Sequence, residues 1–393
     1  MKIIPYGHQC IQREDIEEVV KVLRGDWITQ GPAITRFEES LCKYTGAKYA
    51  VVVSSGTAAL HIAALAAGIG DGDEVITTPN TFVASANCVL YCGGKPVFVD
   101  IEADTLNIDP AQVSSKINSM TKALIPVHFS GLPCKMKELS YIAKKHRLII
   151  IEDACHALGA KYKLGGKWHK IGSCTHSDMA VFSFHPVKSI TTGEGGAVMT
   201  NDIKLRDRLL MLRTHGITKD PILFFADKAV EKGSWYYEMQ ELGFNYRITD
   251  IQAALGVSQM KRLDAFIKVR TDIARCYIKA FSDLPGVIPP FSRDDLRSAW
   301  HLYLLRIKPG IPGVKQRGEL FNSLRKLGIG AQVHYIPVHF HPFYSKRFGY
   351  KSGDFPVTEE FYRNTLSLPI YPSMTDKDVK KVISSVRRCF HAK

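Results

Sequence analysis

Residues 148–156 read Leu-Ile-Ile-Ile-Glu-Asp-Ala-Cys-His, an apolar run that ends in two acidic residues. A short run of this kind is typical of a strand that is buried on both faces of a parallel sheet. Parallel α/β sheets bind ligands at the carboxyl ends of their strands, so Asp153 is a candidate functional residue. Taken alone, the stretch favours a plainer role for this carboxylate, as the cap of a following helix.

Similar apolar runs rich in Val and Ile recur along the first 250 residues, and stretches with helical spacing separate them. This alternation predicts a mostly parallel sheet covered by helices. The predicted strands are 49–53, 74–77, 96–101, 123–127, 148–151, 179–184 and 196–200, and the clearest helices are 57–67, 136–146 and 202–214.

The most informative passage for chemistry is 181–196, Val-Phe-Ser-Phe-His-Pro-Val-Lys followed by Ser-Ile-Thr-Thr-Gly-Glu-Gly-Gly. It places Lys188 just after a predicted strand and before a glycine-rich loop. A lysine forms a Schiff base only when its amine is deprotonated, which requires a dry or electropositive pocket. Any single lysine is normally a surface residue, but this combination makes Lys188 a candidate nucleophile.

The second half of the chain predicts a smaller α+β domain. A helical pattern from Asp250 to about Phe281 leads into a Pro-rich connector at 284–290. Predicted strands at 300–307 and 330–336 and helices at 314–327, 357–365 and 375–390 follow. We therefore divide the chain into a large domain, 1–255, and a unit of connecting helix and small domain, 256–393.

Composition is that of an ordinary globular protein, with 393 residues, 45% apolar and 23% charged. The sequence contains neither a membrane-spanning run nor the apolar core of a signal peptide, so a cytoplasmic location is expected. The nine cysteines are scattered without zinc-site spacing. We predict no metal site, because the lone His-x-His at His339 and His341 lacks further ligands.

The formal net charge of +14 is compatible with nucleic acid, a membrane surface or small anionic ligands. The basic stretches at 135–147 and 377–393 have helical spacing with apolar residues between the charges, which is typical of solvated helix faces. No nucleic-acid-binding motif accompanies them. We therefore expect neither a nucleic-acid nor a membrane partner.

Several motifs in order resemble the sugar-nucleotide aminotransferases of the DegT type, over nearly the whole chain. The matching segments are 27–32 (Trp-Ile-Thr-Gln-Gly-Pro), 54–60 (Ser-Ser-Gly-Thr-Ala-Ala-Leu), 81–84 (Thr-Phe-Val-Ala), 152–154 (Glu-Asp-Ala), 183–196 and 243–247 (Gly-Phe-Asn-Tyr-Arg). The resemblance implies the fold of aspartate aminotransferase (type I), with a mostly parallel seven-stranded sheet. It also implies pyridoxal 5′-phosphate (PLP) as cofactor.

By this resemblance, Lys188 carries PLP as a Schiff base and later moves a proton. Asp153 pairs with the ring nitrogen and keeps the ring an electron sink. Phe82 resembles the aromatic residue that stacks on the ring, although a core role is the ordinary alternative. His156 stands where relatives often have a Gln that binds the phenolic oxygen of the cofactor.

The resemblance also implies how the phosphate is held. Gly56 and Thr57 begin a helix whose amides favour an anion, and the Ser183 hydroxyl assists them. Asn245 resembles a residue that reaches the phosphate in the neighbouring subunit. Each active site would then need two chains, so we expect a homodimer.

For substrate, the chain resembles members that use L-glutamate to aminate C4 of a UDP-linked 2-acetamido-2,6-dideoxy-4-keto-hexose, in pseudaminic acid biosynthesis for flagellin glycosylation. The expected substrate-binding residues are Tyr6, Thr29, Gln30, His185, His334 and Tyr335. Alternatives are a transaminase for another keto sugar, such as a UDP-pentose or 3-keto sugar, and a non-catalytic regulator on the same fold. A deoxysugar dehydratase would have His in place of Lys188.

Overall fold

The computed structural model describes residues 3–225, 233–312 and 315–391. The strands are β1 (Tyr49–Val53), β2 (Glu74–Thr77), β3 (Lys95–Phe98), β4 (Thr121–Leu124), β5 (Ile149–Asp153), β6 (Lys161–Leu164), β7 (Lys167–Lys170), β8 (Met179–Ser183), β9 (Gly196–Thr200), β10 (Ile217–Thr218), β11 (Glu238–Met239), β12 (Val287–Ile288), β13 (Leu296–Arg297), β14 (Tyr303–Ile307) and β15 (Thr365–Leu368). The α-helices are α1 (Arg13–Leu23), α2 (Pro32–Thr45), α3 (Gly56–Ala66), α4 (Ala84–Tyr91), α5 (Pro110–Lys116), α6 (Met136–His146), α7 (Ile203–Arg213), α8 (Asp250–Met260), α9 (Leu263–Phe281), α10 (Arg317–Lys326), α11 (Pro342–Phe348), α12 (Pro356–Arg363) and α13 (Asp376–His391).

The central sheet has seven strands in the order β1-β9-β8-β5-β4-β2-β3. β9 runs antiparallel to both β1 and β8, and the remaining neighbours are parallel. The predicted mostly parallel seven-stranded sheet is therefore confirmed.

Alternate residues of these strands face two separate cores, which is why their sequences read as continuous apolar runs. Val52 and Ile150 belong to the core that includes α2, α6 and α8. Val51 and Ile151, one residue away, belong to the core that includes α3 and α7. The sheet is thus covered by helices on both faces.

The C-terminal part builds a second core around the sheet β12-β14-β15 and helices α10 and α13. Helix α9 joins the two cores, because Leu263 and Phe266 pack in the first and Ile273 and Tyr277 in the second. The predicted boundary at residue 255 falls inside α8, and the domain division stays a prediction. Below, large domain and small domain name only the parts of the chain before and after α8.

The single long helix predicted from Asp250 to Phe281 is wrong: α8 and α9 are separated at residues 261 and 262. Arg262 departs from helical geometry, with φ −114° and ψ 3°, and its guanidinium pairs with the buried carboxylate of Asp15 near the start of α1. Neither residue at the break is Gly or Pro. We attribute the break to the contact between Arg262 and the distant Asp15.

The strand predicted at 330–336 is also wrong, because that segment has only an isolated bridge from Gln332 to Ser367 of β15. The main chain of Gly330 lies against the N-terminal segment, where an added Cβ would be 2.8 Å from the Ile4 oxygen. The predicted helix 314–327 corresponds to α10, and residue 314 lies outside the described residues. In the described part of the chain, no helix combines the length and apolar character needed to cross a bilayer.

Candidate active site

A cavity of about 440 Å³ opens at the carboxyl edge of the central sheet. Strands β5 and β8 end there at Asp153 and Ser183, and β1 leads there into the start of α3. The small domain closes the opposite side with His334 and Tyr335. The cavity is therefore where a parallel sheet is expected to place its ligand.

Asp153 is buried, with 5% of its surface exposed, and it receives two hydrogen bonds. The Ser85 hydroxyl donates to Oδ2 at 2.5 Å, and the Cys155 amide donates to Oδ1 at 3.1 Å. Turns rather than a helix follow at 155–159, so the helix-capping alternative does not apply. The carboxylate is held in a fixed orientation toward the cavity.

Lys188 lies on the loop between β8 and β9 and lines the same cavity. Burial of its amine lowers the pKa of Lys188, while Cys155 and Asp153 act in the opposite direction. The lowered pKa increases the neutral fraction of the amine near pH 7, which a nucleophilic lysine requires.

The start of α3 forms a close cradle beside Ser183. The Ser55 hydroxyl caps the helix by accepting a hydrogen bond from the Ala58 amide at 3.0 Å. An added Cβ at Gly56 would lie 2.7 Å from the Ser183 Cβ, so the position requires glycine. Gly56 and Thr57 occupy the first turn, whose amides have no partners within the helix. These amides can bind an anion.

Neutral side chains of the small domain meet the large domain around His156. Its Nε2 lies 3.0 Å from the Tyr335 hydroxyl, and its ring lies 4.3 Å from that of His301. Burial and neighbouring basic groups hold the pKa of His156 and of His301 well below the ordinary value. Burial likewise lowers the pKa of His334 to about 3. These three rings are therefore uncharged at neutral pH.

Three other predicted residues, Phe82, Tyr6 and His185, also line the cavity. Phe82 is 55% exposed and lies 5.9 Å from the Tyr335 ring, so it is not a core residue. Tyr6 packs 5.0 Å from the His334 ring. His185 also lines the cavity and is exposed.

Three predicted residues lie away from the cavity of their own chain. Asn245 is exposed and bridges to Thr214. Thr29 and Gln30 are exposed in the turn before α2, where Thr29 bridges to Thr249. Exposed residues of this kind could contribute to the site of a second chain. Their roles therefore stay predictions.

Several residues that line the cavity or lie beside it were not predicted from the sequence, among them Ser85, Cys155, Glu194 and His301. Cys155 lies in the segment 148–156 and Glu194 in the segment 183–196. Their closeness in sequence to Asp153 and to Lys188 could therefore have identified them. Ser85 and His301 reach the site through folding alone. In the described residues, no group of three or more His, Cys, Asp or Glu side chains could hold a metal ion.

Comparison with known proteins supports an aminotransferase site. The model of the DegT/DnrJ/EryC1/StrS aminotransferase family matches residues 9–387. The spore coat polysaccharide biosynthesis protein SpsC of Bacillus subtilis is 45% identical over 385 residues, 98% of this chain and 96% of the relative. The UDP-4-amino-4,6-dideoxy-N-acetyl-beta-L-altrosamine transaminase of Campylobacter jejuni is 39% identical over 383 residues, 97% of this chain and 96% of the relative.

Among solved structures, Helicobacter pylori PseC, an aminotransferase involved in the biosynthesis of pseudoaminic acid, has a TM-score of 0.89 and 34% identity, with 100% of both chains covered. The expected fold of PLP-dependent sugar aminotransferases is thereby confirmed. The family match over nearly the whole chain and the two relatives lead to one conclusion: the chain belongs to the DegT/DnrJ/EryC1/StrS aminotransferase family.

Proposed function

We propose that this protein is a PLP-dependent aminotransferase that moves an amino group from L-glutamate to C4 of a UDP-linked 2-acetamido-2,6-dideoxy-4-keto-hexose. One observation carries the proposal: a half-buried lysine with a lowered pKa and a buried carboxylate, Lys188 and Asp153, line one cavity beside a helix start. Lysine, carboxylate and anion site are the three groups that PLP requires.

The residues around the cavity fit PLP. The cradle at Gly56 leaves space that a Cβ would fill, and helix-start amides suit a phosphate dianion. His156 Nδ1 is buried and has no partner among the described residues. When the Tyr335 hydroxyl donates to Nε2, the neutral ring carries its proton on Nδ1 and can donate to the phenolic oxygen of the cofactor.

PLP, when bound, supplies an electron-withdrawing ring that stabilises negative charge on a neighbouring carbon. Lys188 would hold it covalently and, once released as a neutral amine, accept and return the proton at that carbon. Asp153 would keep the ring nitrogen protonated. Ser85 fixes Oδ2 of that carboxylate, and Phe82 offers an exposed aromatic face at the cavity.

We include a homodimer in the proposal, with each site completed by Asn245 of the other subunit. Large apolar side chains are exposed shortly before Asn245, at Trp235 (67%) and Leu242 (74%), and shortly before Thr29, at Trp27 (59%). Exposed apolar side chains of this size support the proposal that another chain covers this surface.

The sugar is the finer part of the proposal. The relatives that bear on it are the Campylobacter jejuni altrosamine transaminase and Helicobacter pylori PseC. The net charge of +14 suits the two anionic substrates, glutamate and a sugar diphosphate. The Bacillus subtilis SpsC relative, at 45% identity, favours a second candidate: a transaminase for a different nucleotide-linked keto sugar used in a polysaccharide.

A panel of nucleotide-linked keto sugars tests the proposal. The purified protein with PLP and L-glutamate is offered UDP-linked 4-keto hexoses, a UDP-4-keto pentose and a 3-keto sugar, and products are identified by mass. Amination of the UDP-2-acetamido-2,6-dideoxy-4-keto-hexose is expected. Turnover of only another keto sugar would support the second candidate, and no PLP uptake would contradict both.

A further inference from the structure

Arg270, in the middle of α9, is a buried cation without a carboxylate partner. Only 1% of its surface is exposed, and no ion pair includes it within residues 3–225, 233–312 and 315–391. Burial lowers the pKa of Arg270 to about 10, which leaves it protonated at neutral pH. A buried charge is costly unless it is hydrogen-bonded. Arg270 Nε is buried and has no partner among the described residues, so the contacts of Nη1 and Nη2 are what stabilise the charge.

Within the described residues, the guanidinium donates to main-chain carbonyl groups of three separate segments. Nη1 donates to Ile370 at 2.7 Å, to His301 at 3.3 Å and to Trp300 at 3.4 Å. Nη2 donates to the carbonyl of Lys188 at 3.4 Å. One side chain therefore links the lysine loop of the large domain to two segments of the small domain.

Each of these segments either lines the cavity or contacts a residue that lines it. Lys188 is the proposed nucleophile, and the His301 ring packs 4.3 Å from His156. The Ile370 amide donates to the Tyr6 carbonyl at 3.1 Å, and Tyr6 lines the cavity. Arg270 thus lies behind three parts of the site without lining it.

The turn that Arg270 holds is strained. Trp300 has φ +48°, in the left-handed region that a bulky side chain rarely adopts. Such a conformation persists only where surrounding contacts enforce it, and strained positions concentrate at functional sites. The carbonyl groups of Trp300 and His301 both accept from Arg270.

We propose that Arg270 is a positioning residue for Lys188: it fixes the lysine loop relative to the small-domain wall. The inference rests on the proposed function, since it concerns the attachment of PLP to Lys188. Arginine suits the task because its planar fork donates from separate nitrogens to separate acceptors. A lysine at this position would keep the charge but could not span the three segments.

The test compares Arg270→Lys and Arg270→Met with a matched control, Arg387→Lys. Arg387 also donates to a main-chain carbonyl, that of Ala280 at 2.7 Å, and pairs with Asp283, but neither of these partners lines the cavity. The rate of PLP attachment to the PLP-free protein is followed by visible absorbance, and thermal unfolding is measured beside it. Borohydride reduction and peptide mass identify the labelled lysine.

Both Arg270 variants are expected to fold and to attach PLP at Lys188 about 100-fold more slowly, because a small displacement of a reacting group has a cost of this order. We expect kcat to fall similarly while KM for glutamate changes little. The control should match the wild type. Attachment at the wild-type rate in either folded variant, or failure of both to fold, would overturn the proposal. Absence of PLP uptake by the wild-type protein would instead contradict the proposed function, and the inference with it.

Discussion

The two walls of the cavity are built differently. On the large-domain side, Asp153 and Ser183 are the last residues of strands, and Gly56 begins a helix. On the small-domain side, His301, His334 and Tyr335 lie in segments outside strands and helices. The regular wall is positioned by main-chain hydrogen bonds of the sheet, whereas the irregular wall depends on side-chain contacts such as those of Arg270.

The walls also differ in charge. The large-domain wall holds the Asp153 carboxylate and the Lys188 amine, while burial keeps the histidines opposite them neutral. We infer that the first wall performs the chemistry and that the second orients and selects the substrate. The following substitutions test this division.

The largest effect is expected for Lys188→Ala. It removes the covalent attachment and the group that transfers the proton, so kcat should fall by at least about 10⁴-fold. Turnover with glutamate and the visible absorbance of bound PLP measure this. Lys163→Ala, at an exposed position of β6, serves as control. Retained turnover in the Lys188 variant would refute its assigned role.

Asp153→Asn should have the next largest effect. It keeps the shape of the side chain but removes the negative charge opposite the ring nitrogen, so kcat should fall by about 10²- to 10³-fold. Asp178→Asn is the matched control, because the Asp178 carboxylate accepts from the Ile150 amide at 2.8 Å, at the opposite end of β5. Near-normal rates for the Asp153 variant would mean that another acid serves the ring.

Tyr335→Phe tests the small-domain wall. The change removes the hydroxyl that lies 3.0 Å from His156 Nε2 and leaves a buried nitrogen without a partner. Because this hydroxyl orients the His156 ring and its proton, we expect kcat/KM for the keto sugar to fall by about tenfold, equivalent to about one hydrogen bond. Tyr344→Phe removes a hydroxyl that donates to Asn87 away from the cavity and should leave kcat/KM unchanged. An effect of Tyr335→Phe as large as that of Asp153→Asn would contradict the inference that only the large-domain wall performs the chemistry.

The smallest effect is a change in how stability depends on pH. The pKa of His156 is lowered in the folded state, so below about pH 6.5 the unfolded chain binds a proton that the folded chain does not. The free energy of unfolding should therefore decrease as the pH is lowered. Between pH 7.5 and pH 5.5, His156→Gln should lose about 1 kcal/mol less of its unfolding free energy than the wild type. Urea unfolding at both pH values measures this, with the exposed His8→Gln as control. If the variant lost as much unfolding free energy as the wild type, the His156 ring would have to be charged in the folded protein at pH 5.5.

The difference between the walls explains what the sequence could predict. Strands such as β1, β2 and β9 follow from local apolar runs, and the residues at their ends follow from them. Arg270 and His301 could not be assigned, because their roles depend on contacts between residues far apart in the chain. The break at Arg262 and the irregular segment at 330–336 were missed for the same reason.

The pairing of Ser183 with Gly196 across β8 and β9 closes the base of the loop that carries Lys188. Pairing at both ends restricts the conformations open to the loop when the sheet forms, so less conformational entropy remains to be lost at each turnover. Its length is consequently constrained as strictly as its sequence. One inserted residue between 184 and 195 would displace the amine while leaving the surrounding sheet intact.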